Sequence, residues 1–276
     1  GGGPEHAALP GRHGRQALRH VITDTHAHVF WDDLLPDLDA VLARARAAGV
    51  ARIVVVGTDV ASSHKAFEVC RGREGLHPTA GVHPHDSKDL DAAARAEIEA
   101  LCRRPECVAV GETGLDHFKA YSPRADQIAG FAWHAELARE LAKPLVVHSR
   151  DAHQDTLDVL RAAPGVRGVM HCWTMGLEEL PHYLDLGFHI SFSGVVTYPK
   201  NAHIQAAARA VPADRIVFET DCPFLAPQKH RGRWPNEPAL VRETLEFVAS
   251  LRGEDAEALA RSSTANASAL FGLAIP

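Results

Sequence analysis

From His20 onward, short runs of β-branched and aliphatic residues alternate with longer stretches rich in Ala, Leu and Arg. Runs of four to eight apolar residues between turn signals are strand signals, and the longer stretches carry helical spacing. The pattern predicts strands over His20–Asp24, Ala51–Gly57, His77–Val82 and Val108–Gly111, then over Pro144–His148, Arg167–His171, Gly187–Phe192 and Arg215–Glu219. It predicts helices over Leu34–Ala48, Asp89–Arg103, Ala125–Leu141 and Glu178–Leu186, with a final one over Ala239–Leu251. The strands are apolar on both faces, as strands between an inner core and an outer helical layer must be. Eight such units point to an α/β fold, the (β/α)8 TIM barrel. An open doubly wound sheet is the rival, but it usually carries a glycine-rich phosphate loop after its first strand. Here that place holds H-A-H-V-F-W-D-D, without glycine.

Composition narrows this little: 276 residues, 46% hydrophobic and 23% charged, is ordinary for a globular protein. Gly1–Arg15 is glycine-rich and without period, so residues 1–20 are expected to be a flexible tail or expression remnant. Residues 21–276 are expected to form a single barrel domain. The formal net charge of -6 argues against non-specific coating of nucleic acid. No apolar run approaches the roughly 18 residues that cross a bilayer, and no secretory signal is visible. Five cysteines, an odd number without CxxC spacing, read as free thiols of a reducing compartment. A cytoplasmic monomer with no membrane partner is the expectation.

The chemistry lies at the carboxyl ends of the strands, where barrel enzymes keep their reactive groups. In T-D-T-H-A-H-V-F, His26 and His28 are two apart, so a strand aims both imidazoles to one side. Other strand ends carry His83 and His85, Glu112 and Asp116, His148 and Asp151, His171, and Asp221. A lone histidine there is more often a polar cap than a ligand; the recurrence over several strands favours metal. Imidazole with carboxylate suits zinc, manganese or iron better than calcium. His26, His28, Glu112, His148, His171 and Asp221 are too many ligands for one catalytic zinc. They suit two divalent ions that activate water at neutral pH and stabilise the attacking and leaving oxygens.

The motifs V-I-T-D-T-H-A-H, G-V-H-P-H, G-E-T-G-L-D, P-L-V-V-H-S-R-D-A, M-H-C-W, I-S-F-S-G and E-T-D-C-P-F-L-A-P, in this order from about residue 21 onward, closely resemble the TatD family of metal-dependent hydrolases. The resemblance implies an amidohydrolase-like barrel with two divalent ions (Zn, Mg or Mn). It also implies deoxyribonuclease activity on phosphodiester bonds, as a 3′–5′ exonuclease on single-stranded DNA. It would make His26 and His28 ligands of one ion, His148 and His171 ligands of the second, and Glu112 their bridge. Asp221 would complete the first site and orient or deprotonate water, with Glu112 and Asp221 the catalytic pair and His83 beside a substrate phosphate or a further ion. Two departures lie where substrate would enter: H-C-W-T-M with its glycine delayed to Gly176, and the Trp-Pro of R-G-R-W-P-N-E-P, Arg231 to Pro238.

For substrate, Arg150 and Lys200 are candidate phosphate contacts, with Arg231 and Arg233 further out; singly, each reads equally well as solvated loop charge. Trp31, Phe118, Trp173 and Trp234 lie near strand ends, and Trp31 and Trp173 are the better candidates for stacking an unpaired base. Trp173→Ala is then expected to weaken DNA binding more than metal binding. DNA or a small hydrolysable substrate is the expected partner. Other readings are an amidohydrolase, esterase or D-aminoacyl-tRNA deacylase on the same centre, and a non-catalytic metal-binding protein.

Overall fold

The computed structural model describes residues 22–274; the expected tail of residues 1–20 lies outside the described residues. Eight parallel strands follow in chain order around one sheet: β1 (Ile22–Ala27), β2 (Val50–Val55), β3 (Leu76–Ala80), β4 (Ala109–Asp116), β5 (Leu145–Arg150), β6 (Gly168–Met170), β7 (His189–Phe192) and β8 (Ile216–Phe218). The ends of the sheet meet just past β8. Asp221 N–H donates to His26 O at 2.9 Å and His28 N–H to Cys222 O at 2.8 Å, which closes the (β/α)8 barrel. The helices are α1 (Leu38–Ala47), α2 (Val60–Cys70), α3 (Ala92–Cys102), α4 (Arg124–Leu141), α5 (His153–Ala162), α6 (Leu180–Asp185), α7 (Ala202–Ala210), α8 (Val241–Arg252) and α9 (Ala256–Phe271).

The double-sided hydrophobicity of the strands resolves into two cores. Val54, Val56, Ala109, Val146, Val169 and Val217 form the inner one, while their strand neighbours Val55, Val110, Val147 and Met170 face the helices, as the two-residue period of a strand requires. Helix α9 lies beyond Ala239–Leu251, the final helix that the sequence pattern predicts. Its sequence, A-E-A-L-A-R-S-S-T-A-N-A-S-A-L-F, is built of small residues with few large apolar ones to mark a stripe. Yet its end supplies Ala267, Leu270 and Phe271 to the inner core. Arg52 on β2 donates to Ser268 Oγ (3.0 Å) and Arg167 before β6 to Leu270 O (2.6 Å). The floor of the barrel is thus filled, and the carboxyl ends of the strands hold the polar groups.

Strand β4 runs five residues past the expected Gly111, so Glu112 and Asp116 lie on the strand itself. Glycine permits this. Gly114 has φ +133° and pairs with His148, and a Cβ there would lie 1.9 Å from His148 O; at Gly111 one would lie 2.6 Å from Val146 O. The two strands that carry Glu112 and His148 approach only because these positions have no side chain. Gly114→Ala is therefore expected to destabilise the fold by roughly 3 kcal/mol or more. A urea midpoint equal to that of wild type would contradict this.

All five cysteines are free thiols, as expected. Among the described residues, no helix is long and apolar enough to cross a membrane.

Candidate metal centre

Five elements bring their side chains to one point. His26 is on β1 and His28 just beyond it; Glu112 is on β4 and His148 on β5; His171 follows β6 and Asp221 follows β8. Asp151, Cys172 and Asp221, one to three residues past a strand end, have φ of +51°, +44° and +55°. These left-handed residues turn the chain away sharply where the strands end, a conformation that clusters at functional sites.

Glu112, 3% exposed, is the hub. Its Oε1 lies 3.1 Å from His171 Nε2, 3.2 Å from His148 Nδ1 and 3.4 Å from His83 Nε2. Its Oε2 faces the other way, 3.3 Å from His26 Nε2 and 3.9 Å from His28 Nε2. Asp221 Oδ1 closes the far side, 3.4 Å from His28 Nε2 and 3.6 Å from His26 Nε2. Three sets of ligand atoms are close enough to share an ion: His26, His28 and Asp221; His26, Glu112 and His171; and His83, Glu112 and His148. His26 Nε2 and His28 Nε2 meet at 3.2 Å, and His148 Nδ1 and His171 Nε2 at 3.4 Å. Imidazole nitrogens facing one another beside carboxylate oxygens, buried at His26, His28, Glu112 and His171 and half-buried at His83, His148 and Asp221, are a donor set that fits divalent cations.

The partners behind the rings decide which nitrogens are free. His28 Nδ1–H donates to Val56 O at 2.7 Å. His171 Nδ1–H donates to Glu219 Oε1 at 3.1 Å. In its neutral form each ring therefore presents an Nε2 lone pair to the centre, the arrangement that an acceptor behind a metal-binding histidine imposes. His83 is the reverse: its Nδ1 accepts the His85 N–H (3.1 Å), so in the neutral ring the proton sits on Nε2, facing Glu112. His83 is set up as a hydrogen-bond donor.

The electrostatics agree. Burial raises the Glu112 carboxyl, but the surrounding His171, His83 and His26 outweigh it and hold the group well below the usual carboxylate range. Burial likewise opposes ionisation of Asp221, and the His28 contact and neighbouring imidazoles pull it down. Burial drives His83 well below the ordinary histidine value, with Glu112 opposing it. His171 goes well above that value: burial opposes its charge, but Glu112 and Glu219 outweigh it. The centre is thus an anionic pair among imidazoles.

Three further carboxylates, given no role by the sequence reading, hold these side chains in place. Glu219 also accepts the Cys172 N–H at 2.7 Å, fixing the turn after His171. Asp116 Oδ2 lies 2.8 Å from His85 Nε2 and 3.5 Å from His148 Nε2. Asp24 accepts from the His26 and Thr220 amides and the Thr220 hydroxyl, tying β1 to the β8 tip. Burial pushes its carboxyl up to about 8, with the Glu219 charge adding to the rise. The available signal was position: Asp24 and Asp116 were legible at strand ends, and Glu219 closes the eighth apolar run two residues before Asp221.

The substrate candidates fare unevenly. Trp173 is 1% exposed, packed edge-on against Tyr183 at 5.5 Å. No base can reach it: contrary to expectation, Trp173 packs the core beneath the rim and does not stack a base, and the expected Trp173→Ala effect on DNA binding falls with that role. The ring points under the loop instead of out of it because its neighbourhood is an apolar pocket closed by α6. Trp31 is 40% exposed, Phe118 is 57% exposed, and the Arg150 guanidinium lies 4.0 Å over the Phe118 ring. Lys200 is exposed in the turn before α7.

A closed parallel barrel with histidines and carboxylates converging at its carboxyl-end mouth defines the class of metal-dependent hydrolases. The chain belongs to the TatD related DNase family, which matches residues 23–272. It is 38% identical over 258 residues to the Escherichia coli K12 metal-dependent hydrolase YcfH, covering 91% of this chain and 95% of the other. It is 39% identical over 245 residues to the 3'-5' ssDNA/RNA exonuclease TatD of Klebsiella pneumoniae, covering 86% and 92%. The crystal structure of YjjV, a TatD homolog from Escherichia coli K12, superposes with a TM-score of 0.87 at 25% identity, over 92% of this chain and 99% of the other.

Proposed function

We propose that the protein is a dinuclear 3′–5′ exonuclease that hydrolyses phosphodiester bonds of single-stranded DNA. The observation that carries this reading is the Glu112 carboxylate, whose two oxygens face two separate sets of imidazoles. In this reading His26, His28 and Asp221 would hold one ion, His148 and His171 the other, with Glu112 shared between them. Two such ions supply Lewis acidity at the phosphoryl group and ready deprotonation of water at neutral pH. The protein's own groups do the rest. Glu112 stays anionic through neutral pH and fixes the spacing. Asp221, also anionic and more open at 14% side-chain exposure, takes a proton from the water whose oxygen bonds to phosphorus; the P–O bond to the leaving strand breaks, and its oxygen takes a proton from Asp221 or solvent. His83, neutral with its proton on Nε2, donates to a phosphate oxygen, and Arg150 and Lys200 add positive charge at the rim. The substrate class is supported by the activity of the Klebsiella pneumoniae relative.

The test is digestion of 3′-labelled and 5′-labelled single-stranded DNA with Mg2+, Mn2+ or Zn2+. Shortening from the 3′ end that a chelator stops is the expected result. Failure to cut DNA, together with turnover of an amide or aminoacyl ester, would assign the same centre a different substrate.

A further inference from the structure

Beside the His28 edge of the centre, three aromatic rings form a continuous ledge. The Phe224 ring centroid lies 6.4 Å from that of His28; Trp31 meets Phe224 at 5.3 Å, and Trp234 meets it at 5.7 Å. The outer two rings are open to solvent, Trp31 at 40% and Trp234 at 56% exposure. Large aromatic surface left in water is costly unless something covers it in use. The ledge is not a loose loop tip. Asn236, 1% exposed, donates its side-chain amide to Thr220 O (3.0 Å) and Phe224 O (2.6 Å), and its backbone N–H to Pro223 O (2.9 Å). Glu237 next to it receives the Arg44 guanidinium through both oxygens, at 3.0 and 2.8 Å. Trp234 is thus carried two residues before a double anchor, on the same segment as the ligand Asp221. Positive charge accompanies it: Arg231 and Arg233 are both exposed, and Arg231 lies 4.7 Å over the Tyr198 ring.

We infer that Trp31, Phe224 and Trp234 form a stacking subsite for an unpaired nucleobase of the strand whose phosphodiester lies at the metal centre, with Arg231 and Arg233 beside its backbone. Flat rings next to guanidinium groups, continuous with a phosphodiester-cleaving centre, are how single-stranded nucleic acid is held without sequence preference. Double-stranded DNA has no free base face to offer, so the ledge selects unpaired ends. Trp234 lies in R-G-R-W-P-N-E-P, one of the two places where the sequence departs from the TatD pattern. The inference rests on the nuclease reading above.

The experiment measures KM and kcat on single-stranded DNA for wild type, Trp31→Ala, Trp234→Ala and Trp234→Phe. The substrates are an intact strand and a series with one abasic nucleotide at each of the last four 3′ positions. Stacking is worth roughly 1–3 kcal/mol per base, so Trp234→Ala and Trp31→Ala are each expected to raise KM roughly tenfold on the intact strand. Trp234→Phe should restore most of the loss. At one abasic position the wild-type KM should rise similarly, and the tryptophan variants should add little to it, since ring and base are two halves of one contact. Equal penalties on intact and abasic strands would overturn the subsite and leave the nuclease reading standing. So would a change in oligomeric state of Trp234→Ala without a change in KM. A wild type that cuts no nucleic acid would overturn both.

Discussion

Glu112→Gln is expected to lower turnover at least about 1,000-fold while the barrel still folds. Lewis-acid stabilisation by bound metal contributes several kcal/mol, and each power of ten in rate is about 1.4 kcal/mol. Gln keeps the shape of the side chain but loses the charge that faces His171, His148 and His83 with one oxygen and His26 with the other. The two halves of the centre then have no common anion. A second readout separates loss of metal from loss of chemistry. Metal at 100 times its Kd should stabilise wild type by about 2.7 kcal/mol, and chelation should remove this; Glu112→Gln should show little such shift. Normal metal-dependent stabilisation with normal turnover would mean that Glu112 bridges nothing.

Glu219→Ala is expected to weaken metal binding roughly 10- to 100-fold, the usual effect of removing a group behind a metal ligand. The truncation leaves His171 Nδ1–H and the Cys172 N–H buried without an acceptor, each at a cost of about 1–3 kcal/mol. The His171 ring is then free to rotate or change tautomer. Glu219→Gln retains an acceptor oxygen and should recover most of the affinity. Competition with a chromophoric chelator measures both variants in the absence of substrate. Wild-type affinity in Glu219→Ala would show that packing alone orients His171.

The convergence of these side chains was legible because barrel topology converts a repeating position into a place. His26, His28, Glu112, His148, His171 and Asp221 each fall at or just past a strand end, so the sequence alone determined that they converge. The eight-strand rhythm was equally readable, since buried parallel strands are short, β-branched apolar runs that recur between turn signals and helical stretches. Three things were decided only by tertiary structure. Helix α9 closes the floor of the barrel with small residues, whose value lies in what they fit against. Trp173 and Trp234 look alike as loop aromatics near strand ends, yet one is sealed against Tyr183 and the other stands open beside Phe224. That difference comes from the direction each loop takes, which periodicity does not encode. The protonation geometry of the histidines was hidden for the same reason. Val56 O and Glu219 turn the lone pairs of His28 and His171 toward the centre, and the His85 amide turns that of His83 away from it. Residue types fix what a side chain can bind. Partners distant in the chain fix which of its atoms is free to do so.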